Sequence, residues 1–302
     1  MVLPDKPLKT AFAAAFHESI RPDELHRFSR PIHDGKEFHV TRNKEIFRRE
    51  GRQTDSFSAS ALFLLRNSKV MLVDMARASA VRWRPQGYPD LYEEHRRSFS
   101  LHVPSVSFEV SPDRALLYEA VATGGQLARV SSDIVLRCLD ELLPSLSALA
   151  RDAGEHASDV AEGWFESGLQ VGGFASDSER VARAIAWLGD APMIPQHNDL
   201  HLENVVLSDG QPLCIDFDGI GVRPAWQAAL ILCLDSIRCH PEMTLQVESR
   251  LLRFFDETNS AETPKDWRTL TAVAWEVSRQ QPLLASDTHW GRVREWALGG
   301  TV

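Results

Sequence analysis

The 302-residue chain has few cysteines, no long apolar run, no excess of positive charge and no internal repeat. Each shortage removes a class of protein. The four cysteines, Cys138, Cys214, Cys233 and Cys239, form no C-x-x-C pair, and all but Cys239 stand in apolar runs, where a thiol behaves as a small hydrophobe. They read as reduced core residues, as expected of a cytoplasmic protein. No stretch approaches the roughly 20 apolar residues that cross a bilayer. The N-terminal run Ala11–Phe16, between Lys9 and His17, is too short for a secretory segment, so the expectation is no membrane partner. A formal net charge of −9 argues against nucleic acid as a partner and suits a neutral or cationic ligand. Without repeats or low-complexity tracts, solenoids and linker-rich chains drop out. What remains is 43% hydrophobic and 25% charged, the balance of a soluble protein with a sizeable core.

Patterning divides the chain. Residues 8–28 read as helical, broken near Pro22. Ala59–Arg66 and Val70–Met75 read as strands about an Asn67-Ser68 turn, and Val103–Val110 and Ala115–Val121 as a second pair about Ser111-Pro112-Asp113. After Gly124-Gly125 the period changes. Ile134, Val135, Cys138, Leu139, Leu142, Leu143, Leu146 and Leu149 recur at helical spacing, with Ser132 or Asp133 as N-cap and Pro144 as a kink. Residues 178–188, 225–238, 243–256 and 266–280 read as further helices around one strand pair, Val205–Leu207 and Leu213–Ile215. A strand-rich part (1–121) followed by a helical part (122–302) predicts an α+β fold of two lobes.

The chemistry concentrates in residues 194–219. Ser208-Asp209-Gly210-Gln211 is a turn between two short apolar strands. Folding the chain about it sets Asn204 opposite Ile215, beside Asp216. Cross-strand neighbours lie about 5 Å apart and diagonal ones within about 8 Å, so an amide oxygen and a carboxylate can share one hard cation. Oxygen donors of that kind, leaving room for phosphate oxygens, suit Mg2+. Asp199, five residues before Asn204, enters the hairpin where a base for a substrate hydroxyl belongs. Phosphoryl transfer asks for such positioning and charge neutralisation more than for covalent chemistry.

This segment, His197-Asn198-Asp199-Leu200-His201-Leu202-Glu203-Asn204 with Ile215-Asp216-Phe217-Asp218, resembles the aminoglycoside phosphotransferase and choline kinase family, whose pattern is H-G-D-L-H-x-x-N followed by I-D-F-D/E. The resemblance implies a two-lobed protein-kinase-like fold using ATP and Mg2+. Asp199 would be the base, Asn204 and Asp216 would hold the metal, and His197 would orient the loop. Asp218 either supports the metal or caps a turn with Gly219. Asn198 replaces a glycine, a mild change because Asn tolerates positive φ. Leu116–Val121 followed by Gly124-Gly125 looks like the hinge, where the backbone of Glu119–Val121 would bond adenine. Pro224-Ala225-Trp226-Gln227 looks like the start of the next helix, with Gln227 where Asp is usual.

The first lobe departs from the pattern. Counted from the Asn67-Ser68 turn, the usual phosphate-gripping lysine falls at Val73 or Asp74, with Arg77 or Lys69 as stand-ins and Glu93 or Glu94 as its partner. Gly51–Ser58 replaces a glycine-rich loop, with Ser56 and Ser58 offering hydroxyls to phosphate. The resemblance favours a small-molecule acceptor, such as an aminoglycoside, choline or a sugar-like alcohol. A Ser or Thr of a precursor peptide is a second acceptor, and a non-catalytic, partner-binding module is the alternative that the missing lysine raises. Two side readings stand beside these. His197, Asp199 and His201 match an H-x-D-x-H metal site, and the acidic residues Asp152, Glu155, Asp159, Glu162 and Glu166 line a cationic ligand or face solvent.

Overall fold

The computed structural model describes residues 29–31, 37–40, 61–64, 70–74, 79–84, 88–99, 102, 106–111, 114–120, 125–154, 161–162, 164–165, 178–217, 220–259, 261–279, 283–284 and 290–299. The predicted helix at 8–28 lies outside these. The chain divides into two compact units, Met1–Pro89 with Pro104–Ala122, and Asp90–Val103 with Thr123–Val302.

The first unit is a seven-stranded antiparallel sheet. Its strands are β1 (Ser29–Pro31), β2 (Glu37–Val40), β3 (Ala61–Leu64), β4 (Val70–Asp74), β5 (Ser79–Arg84), β6 (Val106–Ser111) and β7 (Arg114–Ala120), in the order β1-β2-β3-β4-β5-β7-β6. Both expected strand pairs are present: Ala61 pairs Val73, and Val106 pairs Glu119. Strand β5 was not expected, and it corrects the lysine count. The strand that runs into the helix α1 (Tyr88–Phe99) is β5, not β4, so the position does not fall at Val73 or Asp74. Strand β5 carries Arg82, opposite Met71 on one side and Leu117 on the other, and Arg84.

The second unit is helical. Helices α2 (Ser132–Gly154), α3 (Ser178–Leu188), α4 (Gln227–Cys239), α5 (Thr244–Thr258), α6 (Trp267–Arg279) and α7 (Gly291–Ala297) follow α1 in chain order. Helix α2 starts one residue or more earlier than its cap reading required. Ser131, not Ser132 or Asp133, accepts the first N–H groups, from Ile134 and Val135, and Ser132 instead bonds Glu242. The helix continues through Pro144, whose side is exposed. Helix α4 is the centre of the unit: Gln227 through Ile237 are all buried, as a helix apolar on every side requires. All four cysteines are free and three are buried. Burial raises the Cys138 thiol to about 11 and the Cys233 thiol to about 12.

Two small ribbons lie among these helices, where one strand pair was expected. Strand β10 (Val205–Ser208) pairs with both β11 (Gln211–Cys214) and β8 (Gly125–Gln126). Strand β9 (Met193–Gln196) pairs with β12 (Gly221–Pro224). Proline at Pro195 and Pro224 is tolerable because a two-stranded ribbon has only edges.

Candidate active site

The β10–β11 hairpin turns through Asp209 at φ 51° and Gly210 at φ 80°, the two-residue turn whose twist matches paired strands. The register follows. Val205 faces Cys214, and one step further the N–H of Ile215 donates to the carbonyl of Asn204 at 2.8 Å. Asn204 and Asp216 are thus brought to one end of the hairpin. Asp216 sits at φ 61°, the left-handed region that costs a non-glycine residue roughly 1–2 kcal/mol. Strain of this kind persists where the surroundings hold it, commonly at functional sites.

The loop before the hairpin is held by its own polar groups. The Nδ2 of buried Asn204 donates to the carbonyl of Asp199 at 2.9 Å. This settles which way the amide lies, and Oδ1 is the atom left for a ligand. His197 is 1% exposed. Its Nε2 donates to the carbonyl of Ile215 at 2.8 Å, and its Nδ1 accepts the N–H of Asp199 at 3.1 Å. Only the neutral Nε2–H tautomer makes both bonds, since a proton on Nδ1 would face another donor. Burial lowers the His197 pKa in the same sense, against the pull of Ile215, Asp199 and Asp216. His197 therefore ties β9, the Asp199 loop and the approach to Asp216 together without carrying charge. Its ring packs on Phe217 at 4.7 Å, and Phe217 meets Tyr92 of α1 at 5.4 Å.

These bonds exclude the H-x-D-x-H metal reading. Both nitrogens of His197 are engaged, and Nδ1 of His201 accepts the N–H of Glu203 at 3.2 Å, capping the turn Leu202–Asn204. Among the described residues no group of three or more His, Cys, Asp or Glu is placed to hold a metal. The donors that fit Mg2+ are the oxygens of Asn204 and Asp216.

Asp199 has neighbours that sequence reasoning missed. Its Oδ1 meets Nη1 of Arg279, at the end of α6, at 2.5 Å, and its Oδ2 lies 3.6 Å from Nε2 of His201. Burial would raise its pKa, but His201 and Arg279 prevail and hold the carboxyl down at about 2. The carboxylate is 42% exposed, charged and reachable. Asn198 is not among the residues at positive φ, so the glycine of the family pattern is not required here. Gly221 lies against its side chain and leaves room for it.

Asp235 on α4 is a second residue that was missed. It is 1% exposed, accepts the N–H of Leu202 at 2.9 Å, and pairs with Arg238 at 2.6 Å. Arg238 in turn lies over the ring of Trp290 at 5.1 Å. The signal was a lone acid inside the apolar run Ala228–Ile237, since a charge there must find a partner. Replacing Asp235 with Ala leaves a guanidinium and the Leu202 N–H without their acceptor. The expected loss is about 3–5 kcal/mol, read by urea denaturation, with Asp235→Asn losing less because it still accepts from Leu202.

Gln196 anchors the other side. It donates to the carbonyls of Arg223 and Pro224 and accepts the N–H of Ala228 at 3.0 Å, joining β9, β12 and the start of α4. Gln227 is buried, with no hydrogen-bond partner at Oε1.

His95 of α1 is 1% exposed and donates from Nδ1 to the carbonyl of Pro195 at 3.1 Å. Burial, then the neighbouring His197, lowers its pKa from 6.5 to about 4. Below pH 6.5 the unfolded chain binds a proton there that the folded chain refuses, so stability falls as pH drops from about 6.5 to 4. The difference amounts to roughly 3 kcal/mol at the lower end. Denaturant midpoints across this range are expected to show that slope, and His95→Asn, which keeps a donor for Pro195, should make it shallower, leaving the part due to buried His197.

Of the other expected residues, Glu119 lies on β7, paired with Ala80 and Val106. Glu93 of α1 pairs with Arg96 at 3.3 Å. Ser56, Ser58, Lys69, Arg77, Val121 and Asp218 lie outside the described residues, as do Glu155, Asp159 and Glu166 of the acidic run. Asp152 and Glu162 of that run are exposed.

The family model of the phosphotransferase enzyme family matches residues 102–273, more than half of the chain, and the chain belongs to that family. No curated protein matches it. Among solved structures it is similar to an aminoglycoside phosphotransferase from Streptomyces rimosus in complex with ADP and streptomycin, at 12% identity over 77% of this chain and 96% of that one, with a TM-score of 0.49. It is likewise similar to the choline kinase LicA from Streptococcus pneumoniae, at 13% identity over 82% and 95%, with a TM-score of 0.49. Among the described residues no helix is long and apolar enough to cross a membrane.

Proposed function

We propose that this phosphotransferase moves the γ-phosphate of ATP to a hydroxyl of a small molecule. Asp199 takes the hydroxyl proton on Oδ2, since Oδ1 is held by Arg279. The acceptor oxygen forms its bond to the γ-phosphorus as the bond to the bridging β-phosphate oxygen breaks, and ADP leaves. Mg2+ on Asn204 Oδ1 and the Asp216 carboxylate would neutralise the charge on the phosphates. With a pKa near 2, Asp199 is a weak base, so its first task is to orient the hydroxyl, and it takes the proton late. His197 holds the Asp199 backbone and Asp235 holds Leu202, which keeps the loop in place before any substrate arrives. The backbone of Glu119–Val121 is the proposed contact for adenine.

The observation that supports this reading is the ladder bond from Ile215 to Asn204, which brings the residue before Asp216 against Asn204 while the Asn204 amide is tied to Asp199. The test is incubation of the full chain with ATP, Mg2+ and a panel of hydroxylated compounds that includes antibiotics. ADP release with an acceptor gaining the mass of one phosphate is expected. Failure to bind ATP in a calorimetric titration with Mg2+ would defeat it.

A further inference from the structure

Arg279 is the last residue of α6, and a cation at a helix C-terminus is ordinarily explained by the helix dipole. That explanation does not require it to reach Asp199, which it does at 2.5 Å. The guanidinium has five donors, and the bond to Asp199 is the one hydrogen bond it makes among the described residues. It is 30% exposed. Nor is it loosely held. Glu276, one turn back and buried, accepts the N–H groups of Leu283 at 2.5 Å and Leu284 at 2.6 Å, and Nε of Arg294 donates to the carbonyl of Leu284 at 2.8 Å. Leu283 and Leu284 are thereby tied to the last turn of α6.

The local charge balance points the same way. Asp199 is compensated by Arg279, with His201 alongside, and Asp235 is compensated by Arg238. An ammonium group brought to Asp199 would meet a guanidinium already in its place. An anion would find a planar fork with donors to spare, the geometry that carboxylate and phosphate oxygens match.

We propose that Arg279 forms an anion subsite beside Asp199, and that the acceptor carries a carboxylate or phosphate group next to the hydroxyl that is phosphorylated. This rests on the phosphotransferase reading above and narrows it. It also departs from the neutral or cationic ligand that the overall charge of −9 suggested; the guanidinium beside the base is the charge that an acceptor at Asp199 meets.

The test offers the full chain, with ATP and Mg2+, three sets of small alcohols: anionic (glycerate, gluconate, glycerol phosphate), neutral (glycerol, sorbitol) and ammonium-bearing (choline, an aminoglycoside). The anionic set should show the highest kcat/KM, with the carboxylate and phosphate members telling the two sources apart. Arg279→Gln should lower it by about 10- to 100-fold, mostly through KM, and Arg279→Lys should recover part. Higher kcat/KM for the ammonium set, or an equal fall in kcat for all three sets in Arg279→Gln, would overturn the subsite while leaving the kinase reading intact. Absence of ATP binding would instead bring down the kinase reading, and the subsite with it.

Discussion

Asp216→Asn is expected to reduce phosphoryl transfer by about 10³-fold or more, about 4 kcal/mol of transition-state stabilisation, with little change in Tm. Asp216 stands at φ 61°, where alanine would add strain and confuse loss of a ligand with loss of fold. Asparagine tolerates that region nearly as well as aspartate does, so it removes the charge and keeps the geometry. Asp216→Gly is the complementary variant. Glycine reaches positive φ without steric cost, so it should fold at least as stably while losing turnover just as completely. Inactive enzyme at an unchanged or raised Tm would mark the strain as serving the site. A variant that lost activity only in proportion to its folded fraction would argue for a merely structural turn. Steady-state kinetics beside thermal unfolding of the two variants decides it.

Asp199→Asn is expected to lower kcat by about 10²- to 10⁴-fold while leaving the affinity for ATP unchanged. The backbone of this residue should not move. Its N–H bonds His197 and its carbonyl accepts from Asn204, and neither depends on the side chain. What is lost is the carboxylate that receives the hydroxyl proton and pairs with Arg279. Nucleotide affinity by calorimetry and kcat by ADP release separate the two roles. A variant that binds ATP normally and turns over at full rate would remove Asp199 from the mechanism.

The hairpin from Asn204 to Asp216 was legible because its signals are local: an Asp-Gly turn, two apolar strands and polar residues at fixed offsets. Helices α3 to α6 were legible for the same reason, since burial of one face imposes a period on the residues themselves. Strand β5 was not. Its residues Ser79-Ala80-Val81-Arg82-Trp83-Arg84 place arginines at alternate positions, and that pattern reads as loop until β4 and β7 are seen on either side. Helix α1 hid its buried face in the same way, because the residues it buries include His95 beside Tyr92, and histidine does not count as apolar in a periodicity. The ribbon of β9 and β12 was obscured by its prolines. Arg279 and Asp235 lie 80 and 33 positions from the residues they bond. No spacing rule spans such separations, and only the packing of α4 and α6 against the loop brings them there.

The central claim is that one amide oxygen and one carboxylate at the end of a short hairpin hold the metal that accompanies the nucleotide. A crystal of the full chain grown with Mn2+ in place of Mg2+ and a non-hydrolysable ATP analogue tests it by anomalous scattering. The account predicts a metal peak within bonding distance of Asn204 Oδ1 and the Asp216 carboxylate, with phosphate oxygens completing its shell. Nucleotide bound with the metal elsewhere, and neither side chain among its ligands, would contradict it.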